Sequence, residues 1–166
     1  VNVAKYNNKG ISPQKSFLDL QESERIEYFF NSAQEAEMFW SHVFGLFLDV
    51  VKRGSQVYTY VPHDWFMLMS RAHSEEWQIK KAFTKGVQYL ATAGNNTLLD
   101  KEAKKILLKL EGIQANNLDR PLFKKKNYYL NIFGDILIEI YIDIPTANRL
   151  EEFFKNYTHM TKESVE

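Results

Sequence analysis

Four histidines are the side chains of this sequence best suited to moving protons or holding a metal: His42, His63, His73 and His159. A metal site on a helix needs ligands on one face, typically at an i,i+4 spacing, and no pair among these four has it. His63 is followed by Asp64, and Glu76 lies three places after His73. A histidine beside a carboxylate can serve as a general base, so these residues define an enzyme reading. The plainer reading makes His63 a turn residue after Pro62, Asp64 a helix cap and His73 a residue near a helix end. The enzyme reading therefore ranks third, with no catalytic residue, metal ligand or cofactor assigned. There is no cysteine, which excludes disulfides, thiolate metal sites and a thiol nucleophile. No phosphate loop and no Gly-x-Ser-x-Gly elbow is present.

Lysines give the second reading. The chain carries 21 basic and 21 acidic residues, yet the balance shifts along its length. Residues 1–70 have a net charge of −2, residues 71–126 of +6 and residues 127–166 of −4. The basic middle holds Lys81 and Lys85, a helical row of Lys101, Lys105 and Lys109, and the run Lys124, Lys125 and Lys126. Lysines interleaved with aromatics bind nucleic acid by phosphate contacts and base stacking. A helix followed by a hairpin also resembles the layout of winged-helix domains. Gly112 to Pro121, however, makes a poor recognition helix. The competing view of such lysine rows is a solvated face.

The first-ranked reading is protein interaction. The chain has 12 Phe, 9 Tyr and 3 Trp, more than an ordinary core requires. Met38 to Val51 is apolar almost all round, with Asp49 its only full charge. It must be buried by its own chain or by a partner, and it is too short to span a bilayer. His42 and Asp49, seven residues apart, form a polar seam on it. Tyrosine is common at interface centres. The anchors expected are Tyr129, Leu137 and Tyr141 on a hairpin, with Phe44 and Leu48 if the apolar helix is shared. The sequence thus points to a small non-enzymatic module, an adaptor, regulator or inhibitor, whose partner is a protein or a second copy in a homodimer. Nucleic acid is the alternative partner, and no membrane span is expected. A chain without cysteine and without a basic-then-apolar leader fits the cytoplasm.

These residues must be positioned by elements that the pattern also forecasts. The expectation is an α+β fold, predominantly helical, with five to six helices and a C-terminal antiparallel hairpin. Residues 1–15 read as a loose arm or a single irregular strand, 16–157 as a single globular domain and 158–166 as a frayed tail. Helices are expected from about Phe17 to Phe30, from Ser32 to about Arg53, after Asp64, over 76–93, over 97–111 and from Thr146 to about Tyr157. Ser32 with Glu35, and Thr97 with Asp100, have capping-box spacing. Gln56 to Val61 alternates as a possible third strand, and Ile113 to Leu122 reads as a connector. For the hairpin, a three-residue loop over Phe133, Gly134 and Asp135 pairs Leu130 with Ile138 and makes one face wholly apolar. A two-residue turn would pair Leu130 with Glu139 instead. The apolar sorting favours the three-residue loop.

Overall fold

The computed structural model describes residues 3–6, 19–68 and 72–157. The chain forms two compact units, Val1–Val43 and Phe44–Glu166. In the first unit, β1 (Val3–Tyr6) pairs in parallel with β2 (Arg25–Tyr28). A strand therefore replaces the end of the helix expected over Phe17 to Phe30. β1 lies within the segment read as a loose arm or a single irregular strand, and the tail over 158–166 falls outside the described residues. The unit also contains the start of α1 (Ala33–Val50). Ser32 Oγ accepts from the Glu35 amide at 3.2 Å, and the Glu35 carboxylate accepts from the Asn31 amide at 3.1 Å. Those bonds satisfy amide donors that a helix start leaves open. Phe39 packs against Tyr28 and Phe30, with ring centroids 4.4 and 5.1 Å apart.

The second unit is built on a five-stranded mixed sheet in the order β5-β4-β3-β6-β7. Its strands are β3 (Gln56–Val61), β4 (Gln88–Ala93), β5 (Ile113–Asn117), β6 (Tyr128–Phe133) and β7 (Ile136–Tyr141). β3, β4 and β5 run parallel, while β6 is antiparallel to both β3 and β7. α2 (Ala72–Thr84) joins β3 to β4, α3 (Leu98–Leu107) joins β4 to β5, and α4 (Ile144–Asn156) follows β7. The fold is α+β, but four helices and this sheet among the described residues replace the predominantly helical fold of five to six helices.

Three local features account for the difference. Gly86, at φ +74°, ends α2, so Gln88–Ala93 is a strand rather than the last turns of a helix over 76–93. Val87, Tyr89, Ala91 and Ala93 are buried at every second position, which is the strand period. Gly112, at φ +79°, stops the chain after α3, and Ile113–Asn117 then pairs with β4. The connector expected there is thus an edge strand, which also removes the recognition helix of the winged-helix layout. Between β3 and α2 the described residues form a short 3-10 turn over Phe66–Leu68.

The hairpin takes the two-residue turn, pairing Leu130 with Glu139 and Asn131 with Ile138. Gly134 has φ +57° while Asp135 keeps a negative φ, the pattern of a type II′ turn that matches strand twist. The three-residue loop is therefore corrected. The register turns Tyr129, Asn131 and Phe133 to one face and Tyr128, Leu130 and Ile132 to the other.

The dry face of the sheet holds the core. Val57, Tyr89 and Phe133 are buried there. Phe44 meets Phe133 edge-on at 5.6 Å, and Phe47 stacks on the same ring at 4.6 Å. Phe44 and Leu48 are 0% and 1% exposed, so this half of the apolar helix is covered by its own chain. Asn131, 5% exposed, lies on this face and is satisfied by Thr59 Oγ1 at 2.9 Å. Phe44→Ala is expected to lower unfolding free energy by about 3–5 kcal/mol, the usual cost of a buried aromatic cavity. Urea denaturation measures this, and a loss below about 1 kcal/mol would show that Phe44 is not a core residue.

Candidate functional site

Two regions collect the chain's chemistry. The first is a buried polar cluster beyond the carboxyl end of β3. Thr97 is the N-cap of α3, and a complete capping box closes on Asp100: the Thr97 hydroxyl and amide both donate to its carboxylate, at 2.7 and 3.0 Å. Asp100 is fully buried, so this carboxylate needs more partners than a surface cap would. His63 Nδ1 supplies one, 3.1 Å from both carboxylate oxygens. On the other side of the ring, Nε2 lies 3.5 Å from Glu151 on α4 and 3.4 Å from Asn95 Nδ2. The ring also packs on Phe154 at 4.3 Å.

Asp64 sits beside this cluster. Its carboxyl pKa is pushed up to about 7 by burial and by the charge of Asp100, against a smaller opposing bond from the Met67 amide. Burial also acts to raise the pKa of Glu151, but the bond from Lys155 and the charges of His63, Lys155 and Lys126 outweigh it and hold Glu151 below the usual range. Trp65 Nε1 donates to Tyr129 OH at 2.9 Å. Burial pushes the Tyr129 phenol up to about 12, partly offset by that bond and reinforced by Asp64.

The cluster joins His63 to a carboxylate, but the partner is Asp100 and not the adjacent Asp64. His63 is 3% exposed with both ring nitrogens faced by partners. Its evident work is to tie the end of β3 to α3 and α4. The side chain of His73 and the whole of His159 lie outside the described residues. His42 and Asp49 are exposed on α1. No group of three or more His, Asp or Glu among the described residues is arranged to hold a metal ion.

The second region is the sheet face opposite the core. Tyr58, Leu137 and Tyr141 are 46%, 57% and 48% exposed. Leu90, Leu130 and Ile132 are half-buried between them, and Gln56, Gln88, Gln114 and Asn116 are exposed along the β4–β5 side. Phe123, from the segment between β5 and β6, covers part of this face. Its ring meets Tyr60 and Tyr128 nearly edge-on at 5.0 and 4.8 Å. Glu139 Oε1 accepts from Tyr128 OH at 2.9 Å and Tyr141 OH at 3.3 Å. Burial, followed by this bond and the Glu139 charge, pushes the Tyr128 phenol up to about 12. Lys125 Nζ stands 5.3 Å from the Tyr141 ring centre.

The expected anchors therefore divide. Leu137 and Tyr141 are together on the open face, whereas Tyr129, Phe44 and Leu48 are inside the core. The register explains Tyr129, since it is Tyr128 that shares a face with Tyr141. Tyr58 is the exposed aromatic that sequence reasoning missed; its alternation within Gln56–Val61 was the available signal.

The lysines are scattered by the fold. Lys85 donates to Leu48 O at 2.6 Å and pairs with Asp49 at 3.1 Å, closing the end of α1. Lys81 lies over Trp77, 5.0 Å from its ring centre. Lys105 pairs with Glu102 on α3, where Lys101 is exposed. Lys109 is exposed just beyond that helix. Of these lysines, Lys125 contacts the open face, over the Tyr141 ring, with Lys124 and Lys126 beside it in the chain on the segment before β6. No helix among the described residues is long and apolar enough to cross a membrane. Comparison with protein-family models, curated proteins and solved structures finds no match to this chain.

Two expectations test the buried cluster. Asp100→Ala leaves His63 facing Glu151 without its main partner and should cost about 3 kcal/mol. Thr97→Ala removes the cap hydroxyl and should cost about 1 kcal/mol. Equal losses in urea denaturation would reduce Asp100 to a simple cap. For Asp64, the ordinary pKa of 3.8 rises to about 7 in the fold. Between those values the folded chain keeps a proton that the unfolded chain has released, so stability falls as pH rises through the window and stays reduced above it. Asp64→Asn should flatten that fall, which unfolding curves at pH 4, 5.5 and 7.5 will show.

Proposed function

We propose that this chain is a non-enzymatic protein-interaction module that self-associates through the open face of its sheet. The observation that carries the reading is one apolar surface at the centre of that face: half-buried Leu90, Leu130 and Ile132 with exposed Tyr58, Leu137 and Tyr141. An apolar centre with glutamine, asparagine and charged residues around it has the composition of an interface. Two sheets stack face to face at about 10 Å with their strands within about 30° of each other, so a second copy is a partner of matching shape. Charge favours that partner as well. The face carries both Glu139 and Lys125, and a two-fold copy can set each near the other's opposite.

A single-stranded nucleic acid is the second reading, favoured by Lys125 over the Tyr141 ring and by the sequence-tolerant stacking that tyrosines offer bases. Glu139 on the same face weighs against it, because it repels phosphate.

Size-exclusion chromatography with light scattering separates the readings. The native chain should run as a dimer free of nucleic acid, and Leu137→Asp and Tyr141→Ala should each shift it to a monomer. Leu137 is exposed, so Leu137→Asp should change monomer stability by less than about 0.5 kcal/mol. A native chain that stays monomeric at high concentration sinks self-association. If that monomer binds a labelled oligonucleotide, and loses it in Tyr141→Ala, the nucleic-acid reading takes its place.

A further inference from the structure

Beyond the carboxyl ends of the parallel strands, an open cleft of about 420 Å³ lies between the end of β3, the end of β4, the segment 120–126 and α4. β3 and β4, whose ends form one wall, are parallel neighbours in the sheet.

The lining is strongly cationic. Arg120, Lys124, Lys125 and Lys126 all border the cleft, and none of the four makes an ion pair among the described residues. Lys125 is partly engaged by Tyr141. Glu151 is the single acid in the wall; it is held by Lys155 at 2.6 Å and faced by His63, and the charge of Lys126 also acts on it. Four cations around one concavity repel each other, and an anion placed among them relieves that repulsion. Asn95, at the end of β4, is held in the wall by its bond to Pro62 O at 3.0 Å. The rest of the wall is apolar. The Phe123 ring is 37% exposed and is fixed by the near-perpendicular rings of Tyr60 and Tyr128, with Pro62 and Pro121 beside it.

We propose that this cleft binds a small phosphomonoester, its phosphate among Lys124, Lys126 and Arg120 and its organic body against Phe123. A phosphate fits the charge better than a carboxylate, because it carries close to two charges at neutral pH. The volume falls in the range of small-molecule sites and exceeds what inorganic phosphate alone fills. The cleft shares Lys125 and Phe123 with the margin of the self-association face, but the test reads binding per chain and its variants, Lys124 and Lys126, are not residues on which self-association rests.

Isothermal titration calorimetry on the full chain at low salt reads the proposal with phenyl phosphate, inorganic phosphate and benzoate as probes. Phenyl phosphate should bind one per chain, about tenfold or more tighter than either of the others. The double variant Lys124→Gln with Lys126→Gln should weaken it by at least about tenfold. The double variant Lys101→Gln with Lys105→Gln, on α3, should leave it unchanged. Circular dichroism should be the same for all three proteins, since these lysines are exposed. Absence of saturable heat with phenyl phosphate overturns the proposal. So does equal weakening by both lysine pairs, which is the mark of diffuse charge attraction. Inorganic phosphate binding as tightly as phenyl phosphate overturns the assignment of an organic body against Phe123.

Discussion

β3 is joined to β4, and β4 to β5, by crossovers that step the same way across the sheet. Strand–helix–strand crossovers are right-handed almost without exception, so both helices are obliged to lie on one face. Everything else about the second unit follows from that obligation. The covered face becomes dry enough to bury Val57, Phe133 and even Asn131. The uncovered face keeps Tyr58, Tyr141 and Leu137 in water. The hairpin of β6 and β7 extends the sheet without adding a helix between its strands, so it widens the exposed side further.

At the end of β3 the same geometry gathers polar groups. A helix entering from β4 needs a cap, and Asp100 provides part of it. Because α4 also packs there, Asp100 is buried completely. A carboxylate in such a place demands donors, and Thr97 and His63 supply them. Asp64 has fewer, which is why its proton is held so firmly. The cluster thus reflects the cost of bringing three chain segments together around charged groups, and its solution is a set of mutual bonds rather than an exposed reactive centre.

Much of this was legible in the sequence and some of it could not be. The caps at Ser32 and Thr97, the strand Gln56–Val61 and the hairpin are local patterns, and each formed where its residues indicated. β4 was hidden because Ile79, Phe83, Val87 and Leu90 continue at helical spacing across Gly86, so a break in direction looked like an unbroken stripe. β5 is mostly polar, and pairing with β4 makes it a strand. The hairpin register failed on a single residue. Sorting apolar side chains together sends Asn131 to the wet face, yet Thr59, 72 positions away, satisfies it inside. The His63–Asp100 pair was equally hidden, since the visible neighbour Asp64 was the wrong carboxylate. Of the proposed contact residues, Leu137 and Tyr141 could be read from alternation alone. Phe44, Leu48 and Tyr129 could not be told from core.

The central place of β3 also has a kinetic meaning. Its partner on one side, β4, lies about 32 positions along the chain, and its partner on the other, β6, about 72. The β6–β7 turn closes within microseconds, as hairpins do, but this ribbon has no dry face to rest on until β3 is in place. Closing the longer loop costs entropy before any pairing repays it, and proteins dominated by such distant pairings fold slowly. On a ribosome the order is fixed further: β3, β4 and the helix between them emerge first. The hairpin would then be the last part to join the sheet, and until it arrives the side of β3 that awaits it is an unprotected edge.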